Sequence, residues 1–423
     1  MTWLQRYRFH TFVQSSVWIV PLGGILLAFI LAPLVRGLDA MTGWTLLGYT
    51  PNGARTMLGA LVASALSFVV FTFSILLVAI QMSSANLSPR VIASFLNDWP
   101  VKIVLTTFVF TYTYSAAVLG RIEETVPQLP MVLVLLSSLV SIGAFLYLID
   151  HSAKSMRPVA VVERVALEGQ QAIESVYPHA FAEPGAAGIG EADLPAGPPS
   201  QTITHGGNSA VLQATDIQGL VATAERDDCT IVLVPQVGEF VTRGEPLFRV
   251  FGGRGALDED ELGEAVALGP ARTMQQDPSF AFRVLVDVAA KALSPAINDP
   301  TTAVLALHQI HRLLRLVGTR DLSTGRVRDG AGRLRLVYRT PDWEDFVSLA
   351  VTEIRLYGAG SIQVPRRLRA LLESLIEVLP PSRAPVLQEE LTHLQHSVQR
   401  GFQGQEDQNF AATADTQGVG GAR

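Results

Sequence analysis

One cysteine, Cys229, stands alone in 423 residues, so the chain can form no intramolecular disulfide and no cysteine-based metal framework. Lysine is almost as scarce: Lys102, Lys154 and Lys291 are the only three. There is no run of basic residues, and the formal net charge is −6. A duplex nucleic-acid binder wants a clustered basic face, so nucleic acid is not an expected partner. Charged side chains make up 17% of the chain, below the roughly 25% of an ordinary soluble domain. A nucleophile elbow, a P-loop, a GxGxxG fingerprint and an HExxH helix are all missing. The chain is therefore not expected to be an enzyme, and no cofactor and no metal are implied.

What is present is an uneven excess of apolar residues, 48% of the whole. Up to Asp150 there are seven Lys/Arg against five Asp/Glu; the remainder holds 25 and 33. An apolar, weakly charged front and an ordinarily charged rear predict a membrane part followed by a soluble part. Four stretches, 15–35, 57–82, 104–120 and 131–149, lack Asp, Glu, Lys, Arg and His. Each suits a spanning helix, which needs ~20 residues. The second, about 39 Å long at ~1.5 Å per residue, exceeds a ~30 Å hydrocarbon core and should tilt or project. The first lacks a small-residue cleavage site and is too long for a signal-peptide core, so it is expected to stay in the protein. Arg6, Arg8, Arg90, Lys102, Lys154 and Arg157 fall on one side of these spans; Arg36, Arg55 and Arg121 fall on the other. That bias predicts cytoplasmic termini.

Polar residues within the front half offer two readings. Gly59, Ala63 and Ser67 make a small-residue face that permits close helix approach. Thr107, Thr111 and Tyr114 on the third span either line a hydroxyl-rich pathway or bond between helices. After Gln81 the chain leaves the second span, and Ser88-Pro89-Arg90 starts a short helix with Ser88 as N-cap and Pro89 at the first turn. This helix either lies in the interface or acts as a gate between the two parts.

In the rear half, 157–177 reads as a helix and 178–208, rich in Gly, Pro and Ala, as a linker. Short β runs are predicted at 210–214, 220–224, 230–234 and 246–251. The stretch 231–250 resembles half of a barrel-sandwich hybrid, the fold of biotinyl and lipoyl carrier domains. With no lysine in the module, the resemblance implies a small β-barrel used for packing or oligomerisation rather than a carrier. Asp277-Pro278 and Asp299-Pro300 each open a helix, the aspartate capping free N–H groups and proline taking a position that needs no donor. Between those helices Ser294, Asn298 and Asp299 form either a ligand-binding turn or a tightly bonded one. His308-x-x-His311 and His393-x-x-His396 read as solvated helix faces, because a zinc site wants three or four ligands and Arg312 and Arg315 adjoin the first pair. Further helices are predicted over 343–357, 365–379 and 384–400, and no structure over 401–423.

Four spans, Phe73-Ser74 through Gln81, Ser88-Pro89-Arg90, the 95–98 segment, Arg272-Thr273, Gln276-Asp277, the 293–303 turn and Ile354-Arg355 occur in this order. Together they resemble the bacterial predicted-membrane-protein family called domain of unknown function 2254, over nearly the whole chain. The resemblance implies an integral protein of the bacterial cytoplasmic membrane and supplies no activity or functional residues.

The expected fold class is thus an α-helical polytopic membrane domain of four transmembrane helices (1–156), then a helix and linker (157–208), a barrel-sandwich-like β module (209–252), a mainly helical cytosolic domain (253–400) and a disordered tail. The expected partners are the lipid bilayer and further copies of the chain as a homo-oligomer. Two functions compete: an oligomeric channel gated through the cytosolic domain, and a membrane-anchored scaffold or sensor whose cytosolic domain binds a partner or small ligand.

Overall fold

A computed structural model of the protein describes residues 1–43, 47–86, 98–181, 197–322 and 325–421. The chain divides into two compact units, in essence residues 9–160 and, with residues 1–8, residues 161–421.

Among the described residues the first unit holds four helices long and apolar enough to cross a membrane: α2 (Ile19–Thr42), the Pro51–Met82 portion of α3 (Pro51–Asn86), α4 (Trp99–Leu119) and α5 (Gln128–Ser155). They follow the helix α1 (Trp3–Ser15). Close approach of α2 and α4 depends on Gly24, where a Cβ would stand 2.9 Å from the Thr106 carbonyl oxygen. Ala28, Ala32, Leu58, Tyr114, Met131 and Val134 fill the core beside it. Among the described residues nothing packs on the small face of α3: nothing lies within 4 Å of a Cβ at Gly59, and Ala63 and Ser67 are exposed.

Polar groups tie down both ends. Asp39 accepts from the Gln128 and Leu129 backbone N–H groups at 3.2 and 2.8 Å, capping α5. The Arg55 guanidinium donates to the Ile122 carbonyl at 2.7 Å. At the other end His151 Nε2 lies 2.8 Å from buried Asp98, and buried Lys102 donates to the Val13 carbonyl at 3.3 Å. The apolar stretches are indeed free of charge, but the helices run beyond them and so carry Lys102 and His151.

The second unit combines two sheets with a helical layer. The larger sheet has the order β1-β5-β3-β8-β7 and the smaller β4-β2-β6. Here β1 is Gln201–Thr204, β2 Ala210–Thr215, β3 Cys229–Leu233, β4 Phe240–Val241, β5 Pro246–Gly252, β6 Val266–Gly269, β7 Arg326–Arg328 and β8 Leu334–Val337. All pairings are antiparallel except β3 with β8. Among the described residues the strands form two open sheets, and no closed barrel is found. The free edge of the β3–β5 hairpin is taken by β8, a strand about a hundred residues further on, so the segment resembling a half-barrel continues as an open sheet. The run 220–224 is helical rather than a strand, inside α7 (Ile217–Arg226). Asp216 caps it by accepting from Gly219 N at 3.0 Å, and Leu220 and Ala224, one helical turn apart, meet the sheet core.

The helical layer comprises α6 (Pro158–Val176), α9 (Pro278–Ala292), α10 (Pro300–Gly318), α11 (Trp343–Tyr357), α12 (Gln363–Val378) and α13 (Ala384–Gly401); the short α8 (Glu259–Gly263) precedes β6. Gly169 lets α6 sink into this layer, since a Cβ there would meet Ala281 Cβ at 2.6 Å. The tail differs from expectation. It forms α14 (Gln405–Ala411) and a loop in which Ala411 and Asp415 are buried. Its polar composition suggested no core, but its carboxylate and glycines make a local hydrogen-bonded turn that composition does not report.

Candidate functional site

Beyond the carboxyl ends of the parallel strands β3 and β8 lies a partly enclosed cavity of about 110 Å³. That is several times the ~10–15 Å³ one water needs. Loop ends beyond a parallel strand pair are where open α/β sheets place ligands. Thr215 comes from the end of β2, Leu233 from β3, Tyr338 from the exit of β8, Tyr177 from the exit of α6, and Gln276 and Asp277 from the start of α9.

The last two are held by strong local chemistry. Gln276 acts as a strand neighbour, its Oε1 accepting from Thr215 N at 2.8 Å and its Nε2 donating to Thr215 O at 3.3 Å. Asp277 caps α9 by accepting from Phe280 N at 3.1 Å and receives Arg272 Nε and Nη2 at 2.7 and 2.9 Å. Burial lifts the Asp277 carboxyl above its ordinary range, opposed by the Arg272 charge and by these hydrogen bonds. Gly238, with φ +93°, permits the approach, as a Cβ there would stand 2.6 Å from Asp277 Oδ2.

Thr215 is 4% exposed, and its Oγ1 has no hydrogen-bond partner among the described residues. A buried hydroxyl of this kind costs about 1–3 kcal/mol unless something satisfies it. Tyr177 donates to the Pro341 carbonyl at 3.3 Å. Burial first, then nearby Tyr338, push its phenol above the usual range, so it stays a neutral donor. Ile217, Val237 and Pro278 supply apolar walls. Arg272 and Asp277 cancel each other's charge, and Arg339 on the wall is paired with Glu239 at 3.1 Å, so the space suits a compact, uncharged molecule with hydrogen-bonding groups. Among the described residues no group of three His, Cys, Asp or Glu side chains is placed to hold a metal.

The residues singled out from sequence lie elsewhere. Ser294, Asn298 and Asp299 are engaged in the turn itself. Ser294 Oγ donates to the Lys291 carbonyl at 2.7 Å, and the Ser294 carbonyl accepts from Asn298 N at 2.8 Å. Asp299 accepts from Thr302 N and Oγ1 at 3.1 and 2.5 Å. Asn298 is exposed at φ +49°, a conformation asparagine tolerates. Thr111 bonds across helices, to the Ser137 carbonyl at 3.3 Å and Ser141 Oγ at 3.0 Å. Tyr114 is buried in the apolar core, stacked on Phe110. Thr107 donates to the Ile103 carbonyl of its own helix at 3.0 Å and lines an open groove of about 400 Å³. Gln81 is exposed at the end of the second span, and Ser88, Pro89 and Arg90 lie outside the described residues. No single stretch of sequence reveals the Thr215 cavity, because its walls come from segments more than a hundred residues apart; the grouped Arg272, Gln276 and Asp277 are its one local trace.

Comparison with known proteins agrees with the membrane architecture. A family described as predicted membrane protein (DUF2254) matches residues 14–374. The chain is 28% identical over 418 residues to an uncharacterized protein of Mycobacterium bovis and, equally, to one of Mycobacterium tuberculosis, covering 94% of this chain and 78% of each relative. No solved structure gives a significant match.

Proposed function

The chain belongs to the DUF2254 family of predicted membrane proteins, and on that premise we propose that it is a membrane-anchored sensor whose second unit binds a small uncharged ligand. The four spans serve as anchor in the bacterial cytoplasmic membrane, with both termini cytoplasmic by the Lys/Arg bias. The ligand is bound and released rather than converted. The observation that carries this reading is a cavity with charge-neutralised walls whose lining includes Thr215, its hydroxyl buried and without a partner among the described residues. Thermal unfolding of the full-length protein in detergent, screened against uncharged alcohols, amides and nucleobases, tests it. Stabilisation by one compound class that Thr215→Val weakens supports the reading; a flat response from the whole panel opposes it.

A channel formed between copies of the chain is the second reading. The groove beside Thr107, open on the surface of a single unit, favours it. Ion flux through sealed proteoliposomes tests that reading separately.

A further inference from the structure

The first unit carries an open groove of about 400 Å³, walled by α2, α4 and α5. Its lining is almost wholly apolar and holds no charged side chain; Leu27, Ile103, Leu136 and Val140 are the exposed members. Three hydroxyls also line it, and each spends its proton on the helix that carries it. Thr106 donates to the Lys102 carbonyl at 2.7 Å, Thr107 to the Ile103 carbonyl at 3.0 Å, and Ser137 to the Val134 carbonyl at 3.0 Å. The groove thus offers an occupant neither charge nor an uncommitted hydroxyl proton, and its complement in charge and polarity is hydrocarbon.

Depth and width narrow the choice further. On α4 the lining runs from Ile103 to Phe110, about 6 to 17 Å from the helix start at Trp99 at ~1.5 Å per residue. That interval falls mostly within one leaflet's half of a ~30 Å hydrocarbon core. A pathway for water or ions would have to cross the whole core. A helix of ~10 Å diameter laid along the ~10 Å of groove would displace about 800 Å³, about twice the space present. A single hydrocarbon chain is thin enough, and it is what a bilayer supplies at this depth. Gly24 against Thr106, with Ala28 and Ala32 in one core with Tyr114 and Val118, sets α2 and α4 parallel, so their starts share one end. Trp18 and Trp99, both exposed, stand at that end, just before the groove begins at Val20 and Ile103. Indoles at span ends sit at headgroup level.

We propose that this groove holds one acyl chain of a bilayer phospholipid, laid along α4 from Ile103 to Phe110, with its glycerol and headgroup at the level of Trp18 and Trp99. The site is independent of the Thr215 cavity, and it competes with the channel reading for the same groove. Hydrocarbon gains no hydrophobic driving force on moving from bilayer to groove, so the chain is held by close packing, as helices are to one another in lipid. Filling the groove with a protein side chain should therefore remove the lipid without disturbing the helices.

The test is native mass spectrometry of the full-length protein in detergent after incubation with dioleoyl phosphatidylglycerol, with oleate and glycerol phosphate as competitors. Wild type should retain one phospholipid per chain through detergent exchange. Thr107→Trp, at a lining position whose hydroxyl serves only its own helix, should lose that lipid; Thr107→Ala, which leaves the groove open, should keep it. Leu136→Trp fills the groove from the α5 wall and replaces Thr107→Trp if that variant does not fold. Equal retention by wild type and a folded groove-filling variant overturns the proposal. Displacement by glycerol phosphate overturns it too, since the chain would then not be what is held, and so does retention of oleate or detergent in preference to the phospholipid. A lipid-free wild-type dimer that Thr107→Trp converts to monomer would make the groove a contact between copies, and the proposal would fall.

Discussion

Stability of the second unit should fall with pH through one identifiable ring. Burial, then the charges of Arg367 and Arg315 and the neighbouring His308, lower the His311 pKa from 6.5 to about 4. The folded ring therefore stays neutral where the unfolded chain has already taken up a proton. Its contribution is fully present above about pH 6.5 and declines as pH falls towards 4, where the folded ring also protonates. At about 1.4 kcal/mol per pH unit, lowering the pH to about 5 removes about 2 kcal/mol. Half-burial of the ring makes this an upper figure. His311→Gln is the control, because the glutamine oxygen can accept from Arg367 as Nδ1 does, without titrating. The assay is thermal unfolding of both full-length proteins in detergent between about pH 7.5 and 5. The wild type should lose several degrees more than the variant over this range, His308 being common to both. Parallel curves would refute the burial and charge argument.

Three other outcomes follow from packing and charge. Gly24→Ala places a Cβ 2.9 Å from the Thr106 carbonyl and 3.0 Å from its methyl group; it should cost about 1–3 kcal/mol by overpacking, read as a lower unfolding temperature of the membrane unit. Arg272→Ala strands the 4%-exposed Asp277 and should cost about 3 kcal/mol, the low end for a broken buried pair because Arg272 is itself partly exposed. Asp277→Asn in that background should restore part of the loss in the same melt. The Asp415 carboxyl, which burial would raise, is held below its ordinary range by its backbone N–H bonds and Arg366. Its contribution is present above that range and lost as pH falls through the folded value, so tail amides should exchange faster in acid only below about pH 4.

Much of the architecture was legible because it rests on local rules. Asp277-Pro278 and Asp299-Pro300 announced their helices, and each aspartate caps the third following N–H as that rule requires. The apolar stretches fall largely on the four long helices because length and lack of charge set a span, although the first stretch begins at Ser15, ahead of the helix start at Ile19. Failures came where distant segments decide. The run at 220–224 is too short for periodicity to separate helix from strand, and Asp216 settles it. The β3–β8 pairing crosses a hundred residues, so neither the open sheet nor the cavity at its end could be read from either segment alone. The sequence reads His308 and His311 as a solvated face, yet both are half-buried, because the packing that covers them comes from distant segments, Arg367 against His311 and the Gly418 loop beside His308. Lys102 and His151 lay just beyond the uncharged windows.

The most direct test is native mass spectrometry of the full-length protein released from detergent, comparing wild type with Val237→Trp, which fills the Thr215 cavity. A ligand held in this cavity should appear as a low-mass, uncharged adduct, or as one acquired from the compound class that stabilises the protein, on wild type and not on an equally folded Val237→Trp. Identical spectra for the two, with and without that class, would contradict ligand binding in this cavity.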